Sequence, residues 1–92
     1  DTFAERKRLL FEGMTCAVFL PGGVGTLDEF TDLVNMLKTG ACPPVPVLLF
    51  GVSYWSGLRA LLEQHGAAWG PVEEPTDDLD ALCGALRAAL RP

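Results

Sequence analysis

The feature that most constrains this chain is a hand-over: Cys16-Ala17-Val18-Phe19-Leu20 is a continuous apolar run that stops at Pro21. Glycines follow at 22, 23 and 25, and from Thr26 the apolar residues recur with helical spacing. A short uninterrupted apolar run reads as a strand covered on both faces. A strand passed within a few residues to an amphipathic helix cannot be half of a hairpin, because its neighbour must be reached by a crossover. A second run, Val45 to Phe50, follows Pro43 and Pro44 and ends at Gly51. The two runs are therefore expected to pair in parallel.

The remaining elements extend this alternation. Phe3, Lys7, Leu10 and Phe11 have roughly helical spacing before Gly13, and Leu27, Phe30, Val34 and Leu37 share one face of the helix that Gly40 closes. Asp28, Asp32, Asn35 and Lys38 fall on its other face. Leu58, Leu61 and Leu62 predict a further helix, with Ser53 or Ser56 as its N-cap, His65 at its tail and Gly66 as its end. Ala67 to Pro75 reads as irregular chain or a short edge strand. Thr76 is the expected cap of a last helix with Asp77 and Asp78 in its first turn and Leu79, Leu82, Leu86 and Leu90 on its core face. Helix, strand, helix, strand, helix and a final helix imply an α/β fold, a parallel sheet with flanking helices in one domain.

Composition sets limits on partners and chemistry. With 92 residues, of which 49% are hydrophobic, disorder is excluded but the stability margin is thin. The chain starts at Asp1, within an amphipathic segment, and is read as a fragment lacking its N-terminal half. A net charge of −5, with its basic residues scattered, leaves no footprint for nucleic acid. Cys16, Cys42 and Cys83 are odd in number and lack CxxC spacing, so neither a metal nor a disulfide is expected, and reduced cysteines suit the cytoplasm. The longest apolar stretch, Val45 to Val52, is broken by Pro46 and Gly51 and is too short for a membrane span.

The chemistry concentrates at the hand-over. A glycine-rich turn that leaves a parallel strand and opens a helix aims backbone N–H groups at one point, where the helix dipole adds positive potential. Gly22, Gly23 and Gly25 permit positive φ and close approach of a ligand, and the expected guest is phosphate. Tight packing alone would also account for such glycines. The spacing is neither GxxxxGK[ST] nor GxGxxG, which disfavours a Walker-type nucleotidase. Thr26 and Glu29 have the spacing of a capping box, while Glu29 could equally be a carboxylate held beside a bound phosphosugar. Asp28 should point about 100° away from Glu29 as a solvated complement to the dipole. Arg6 and Lys7 suit either phosphate binding or a solvated surface. Tyr54 and Trp55 read as packing in preference to a base-stacking platform, and His65 as a surface residue in preference to an acid or base.

Pro21-Gly22-Gly23-Val24-Gly25-Thr26-Leu27-Asp28-Glu29 resembles the PGGxGTxxE signature of the LOG family, the cytokinin riboside 5′-monophosphate phosphoribohydrolases often labelled lysine decarboxylases. Phe3-Ala4-Glu5-Arg6-Lys7 is similar to the family's MxxRK, with Phe3 in place of methionine, and the likeness runs on through Leu37-Lys38-Thr39-Gly40 and Pro46 to Gly51 as far as Tyr54-Trp55. The resemblance implies the C-terminal portion of a Rossmann-like domain over residues 1–92 and hydrolysis of the N-glycosidic bond of a nucleoside 5′-monophosphate without metal or cofactor. By the same resemblance Arg6 and Glu29 are catalytic, Gly22, Gly23, Gly25 and Thr26 cradle the phosphate, Lys7 contacts substrate, and the full-length protein is a homodimer. The alternative is a non-catalytic module carrying a nucleotide or molybdenum cofactor. A lysine decarboxylase would need a pyridoxal phosphate Schiff-base lysine, and neither Lys7 nor Lys38 has a context for one.

Overall fold

The computed structural model describes residues 13–66 and 69–91. The expected first helix, with Arg6 and Lys7, lies outside the described residues apart from Gly13. Two strands, β1 (Ala17–Phe19) and β2 (Val47–Leu49), alternate with α1 (Val24–Thr39), α2 (Val52–Gln64) and α3 (Leu79–Ala89). The strands pair in parallel with Ala17 opposite Val47, Val18 opposite Leu48 and Phe19 opposite Leu49. A parallel sheet flanked by helices is the partial Rossmann-like arrangement expected from the alternation.

The segment expected to be irregular or an edge strand runs beside β2. Glu73 N–H donates to Val47 O (3.0 Å), Thr76 N–H to Leu49 O (3.1 Å) and Gly51 N–H to Thr76 O (2.9 Å), with a parallel bridge between Phe50 and Thr76. Pro75 has no N–H to give, which suits the edge of a sheet. Thr76 is thus a sheet residue. The cap of α3 is Asp78, whose Oδ1 accepts from Asp80 N–H (2.9 Å) and Ala81 N–H (3.3 Å). Asp80, not Asp77 or Asp78, supplies the acid in the first turn.

The core is aromatic. Phe30 of α1 stacks at a tilt on Trp55 of α2 with centroids 4.8 Å apart, meets Phe19 of β1 edge-on at 5.4 Å and meets Trp69 at 5.7 Å. Leu33, Val34, Val47 and Leu49 complete the buried cluster. Because β2 is buried throughout, it reads as a continuous apolar run; β1 is only partly covered, with Val18 38% exposed where a strand buried on both faces was expected. On α2 the inward stripe is Trp55, Leu58 and Leu62, and Leu61 faces solvent. One step of 100° separates Leu61 from Leu62, and Trp55 fixes which of them turns inward. On α3 Leu82 is buried, while Leu79 and Leu90, expected inside, are exposed.

No helix among the described residues is long and apolar enough to cross a membrane. Trp55 is fully buried and touches three aromatic rings, so Trp55→Ala is expected to lower the unfolding free energy by about 3–5 kcal/mol. Urea unfolding of the full-length protein should show this as a lower midpoint at an unchanged slope.

Candidate functional site

The site is built where β1 becomes α1. Gly23 is extended (φ −106°, ψ −153°) and serves as the N-cap of α1 without lending a side chain, and the first bond of the helical ladder runs from Leu27 N–H to Gly23 O (3.2 Å). Among the described residues no backbone carbonyl accepts from the N–H of Gly23, Val24, Gly25 or Thr26. Those donors face outward at the positive end of the helix dipole.

The glycines act through space and not, as expected, through positive φ. That backbone conformation occurs among the described glycines at 13, 40, 51, 66 and 70, and not at 22, 23 or 25. The chain needs no left-handed reversal here, because extended Gly23 leads straight into the helix. A Cβ on Gly22 would collide with Thr26 Oγ1 and lie 3.0 Å from Thr26 Cβ, so Gly22 is required by packing. A Cβ on Gly23 or Gly25 would meet nothing within 4 Å. The fold does not demand glycine at these two positions, and their bare backbone leaves room for a ligand.

The expected capping box is not formed. Because α1 begins at Val24, Thr26 lies inside the first turn, close against Gly22, and is not the residue before the helix. Glu29 is therefore an exposed second-turn residue, one turn beyond Gly25 on the same face. Side chains on a helix lean toward its N-terminus, which directs Glu29 over Gly25, where no side chain intervenes. Asp28, expected to be solvated, is half-buried and held by an interaction of its own.

The other two described helices treat their N-termini differently. At α2 neither Ser53 nor Ser56 caps; Gly51 takes a left-handed conformation (φ 101°) and the side chain of Asp77, from the loop before α3, accepts from Val52 N–H (2.8 Å). At α3 Asp78 caps its own helix. Carboxylates thus occupy the starts of α2 and α3, whereas α1 has neither a capping side chain nor an acid in its first turn. A negative charge arriving there meets open donors and no carboxylate in the first turn, the acids Asp28 and Glu29 coming only in the second.

Two contacts tie the loop to the neighbouring strand end. Pro21 packs against Gly51, where a Cβ would come within 2.7 Å of Pro21 Cγ. The Tyr54 hydroxyl donates to Gly22 O (2.8 Å), and beside it the buried Trp55 donates through Nε1 to Phe50 O (3.0 Å). The sequence marks Tyr54 only as packing; its one legible signal is its place just after the second strand, at the sheet end that carries the loop.

Other candidates lie apart from this centre. Arg59 is bound to Glu63 (3.1 Å) and Glu74 (2.6 Å) and rests over the Trp69 ring, which makes it a structural tie. His65 is exposed at the end of α2. All three cysteines are free and half-buried, and burial pushes the Cys16 thiol up, away from thiolate reactivity.

A family described as "Possible lysine decarboxylase" matches residues 1–91 of the chain. Among curated proteins, a cytokinin riboside 5′-monophosphate phosphoribohydrolase of Mycobacterium marinum is 36% identical over 64 residues, covering 70% of this chain and 34% of its own length. One of the same name from Mycobacterium tuberculosis is 37% identical over 62 residues, covering 67% of this chain and 33% of its own. A third, from Rhodococcoides fascians, is 30% identical over 86 residues, covering 94% and 43%. The chain thus spans between a third and a little under half of the length of these relatives.

Two glycine substitutions should separate packing from ligand space. Gly25→Ala, inside α1, is expected to raise stability by about 0.5–1 kcal/mol through helix propensity. Gly22→Ala is expected to lower it by about 1–3 kcal/mol through the clash with Thr26. Thermal unfolding of the two full-length variants without ligand reads both signs.

Proposed function

We propose, from the premise that this chain belongs to the LOG family described as possible lysine decarboxylases, that it carries the phosphate cradle and catalytic carboxylate of a nucleoside 5′-monophosphate phosphoribohydrolase. The observation that carries this reading is the start of α1: four backbone N–H groups without a backbone acceptor among the described residues, no cap, bare glycines at 23 and 25, and exposed Glu29 one turn on.

The substrate's 5′-phosphate sits on the N–H groups of Gly23, Gly25 and Thr26, with Gly22 keeping the turn closed under Thr26. Glu29 stands about 6 Å further along the helix than Gly25, a separation suited to reach from a 5′-phosphate to the anomeric carbon of the same ribose. As the N-glycosidic bond lengthens, positive charge builds on that carbon and the ring oxygen, and the Glu29 carboxylate stabilises it while orienting a water. The water oxygen bonds to the anomeric carbon, its proton is lost, and the departing base takes up a proton, leaving free base and ribose 5-phosphate. Arg6 anchors the nucleotide and Lys7 adds charge. AMP and cytokinin-type nucleotides are the substrates assigned, with the full-length protein working as a cytoplasmic homodimer.

The decarboxylase description fits these residues poorly. Lys38 belongs to the last turn of α1, about 20 Å along the axis from the glycine loop, and is held by an interaction of its own.

Incubating the full-length protein with AMP and related monophosphates should release free base and ribose 5-phosphate in equal amounts. Glu29→Gln should lower kcat about 10²–10⁴-fold while nucleotide binding and the unfolding temperature stay near wild type. Tight binding without release from any nucleotide would identify a binding module and defeat the hydrolase reading.

A further inference from the structure

We infer that Tyr54 is a positioning residue for the anion site, locking the Gly22–Gly23 peptide so that its N–H, and not its C=O, faces the phosphate; this rests on the phosphate cradle proposed above. The Tyr54 hydroxyl donates to Gly22 O at 2.8 Å. In a trans peptide the carbonyl of one residue and the N–H of the next point in opposite directions, and the described chain has no cis bond. Fixing the Gly22 carbonyl on Tyr54 therefore turns the Gly23 N–H to the opposite side, where no described backbone carbonyl accepts from it. A Cβ on Gly23 would meet nothing within 4 Å, so the backbone at this residue is uncovered on its side-chain face as well.

The lock is needed because a glycine pair has little intrinsic preference for one orientation of the peptide between them. Turned over, that peptide would place its carbonyl oxygen, carrying partial negative charge, where the anion binds. Tyr54 resists this because its ring is itself held. It packs edge-on against Trp55 with centroids 4.8 Å apart, and Trp55 is fully buried among Phe19 and Phe30. Gly51 packed on Pro21 fixes the start of the same loop, so the orientation of the loop is set by the element after β2 and not by the loop itself.

The test compares full-length wild type with Tyr54→Phe, which keeps the ring and removes only the hydroxyl. Inorganic phosphate, a nucleoside 5′-monophosphate and the matching nucleoside are titrated into each by calorimetry, with the ¹⁵N-resolved shift of the Gly23 amide followed during the phosphate titration. The expected result is a loss of affinity for phosphate and nucleotide of about 3- to 10-fold, the worth of one hydrogen bond, with nucleoside affinity unchanged. Phosphate should move the Gly23 amide strongly in wild type and less in the variant. Equal phosphate affinity in the two proteins, an equal loss for nucleoside and nucleotide, or a wild-type Gly23 amide indifferent to phosphate would overturn the inference. Phosphate binding that depends on Tyr54 in a protein that cleaves no nucleotide would uphold it and defeat only the hydrolase reading.

Discussion

Phe30, Trp55 and Trp69 come from three separate segments of the chain and meet in one buried cluster with Phe19 of β1. Everything the site needs follows from that contact. It places α1 and α2 on one face of the paired strands, brings the ends of β1 and β2 side by side, and so sets Tyr54 within reach of the Gly22 carbonyl. Aromatic rings contribute the largest apolar area per residue and prefer particular angles, so the cluster fixes orientation as well as holding the layers together.

The second organising constraint is the need to satisfy helix N-termini. Each helix leaves its first N–H groups without partners inside the helix. Asp77 and Asp78 answer this for α2 and α3, one across a loop and one locally. At α1 the start is left open, which would be a plain loss of stability in a helix with no other purpose. The open start comes together with glycines at 23 and 25 that packing does not require.

Much of this was legible in the residue pattern. The parallel pairing of the two apolar runs and the long helix ending at Gly40 follow from periodicity and glycine placement, and the same pattern marks the strand-to-helix turn as the candidate site. Three departures from that pattern share one cause. Thr26 and Glu29 have the spacing of a capping box, Ser53 and Ser56 look like caps, and Thr76 looks like the start of α3, because each is a good local solution to an unsatisfied N–H. The folded chain pre-empted them: Asp77 reaches back to Val52, Thr76 is drawn into the sheet beside Phe50, and α1 begins at Val24, ahead of Thr26. Leu61 and Leu62 differ by one residue, and only the position of Trp55 decides which of them is buried.

Sequence alone determined the class of fold and singled out the strand-to-helix turn as the candidate site, since a continuous apolar run, a glycine-rich turn and a change to helical period admit few arrangements. Tertiary structure decided the rest. Helix α1 begins at Val24, which frees Glu29 from capping; the loop glycines serve space and not positive φ; and Tyr54, separated from Gly22 by 32 positions, holds the loop. The physical reason is that backbone donors and acceptors are satisfied by whichever partner the folded chain brings closest, and sequence separation does not reveal which partner that will be.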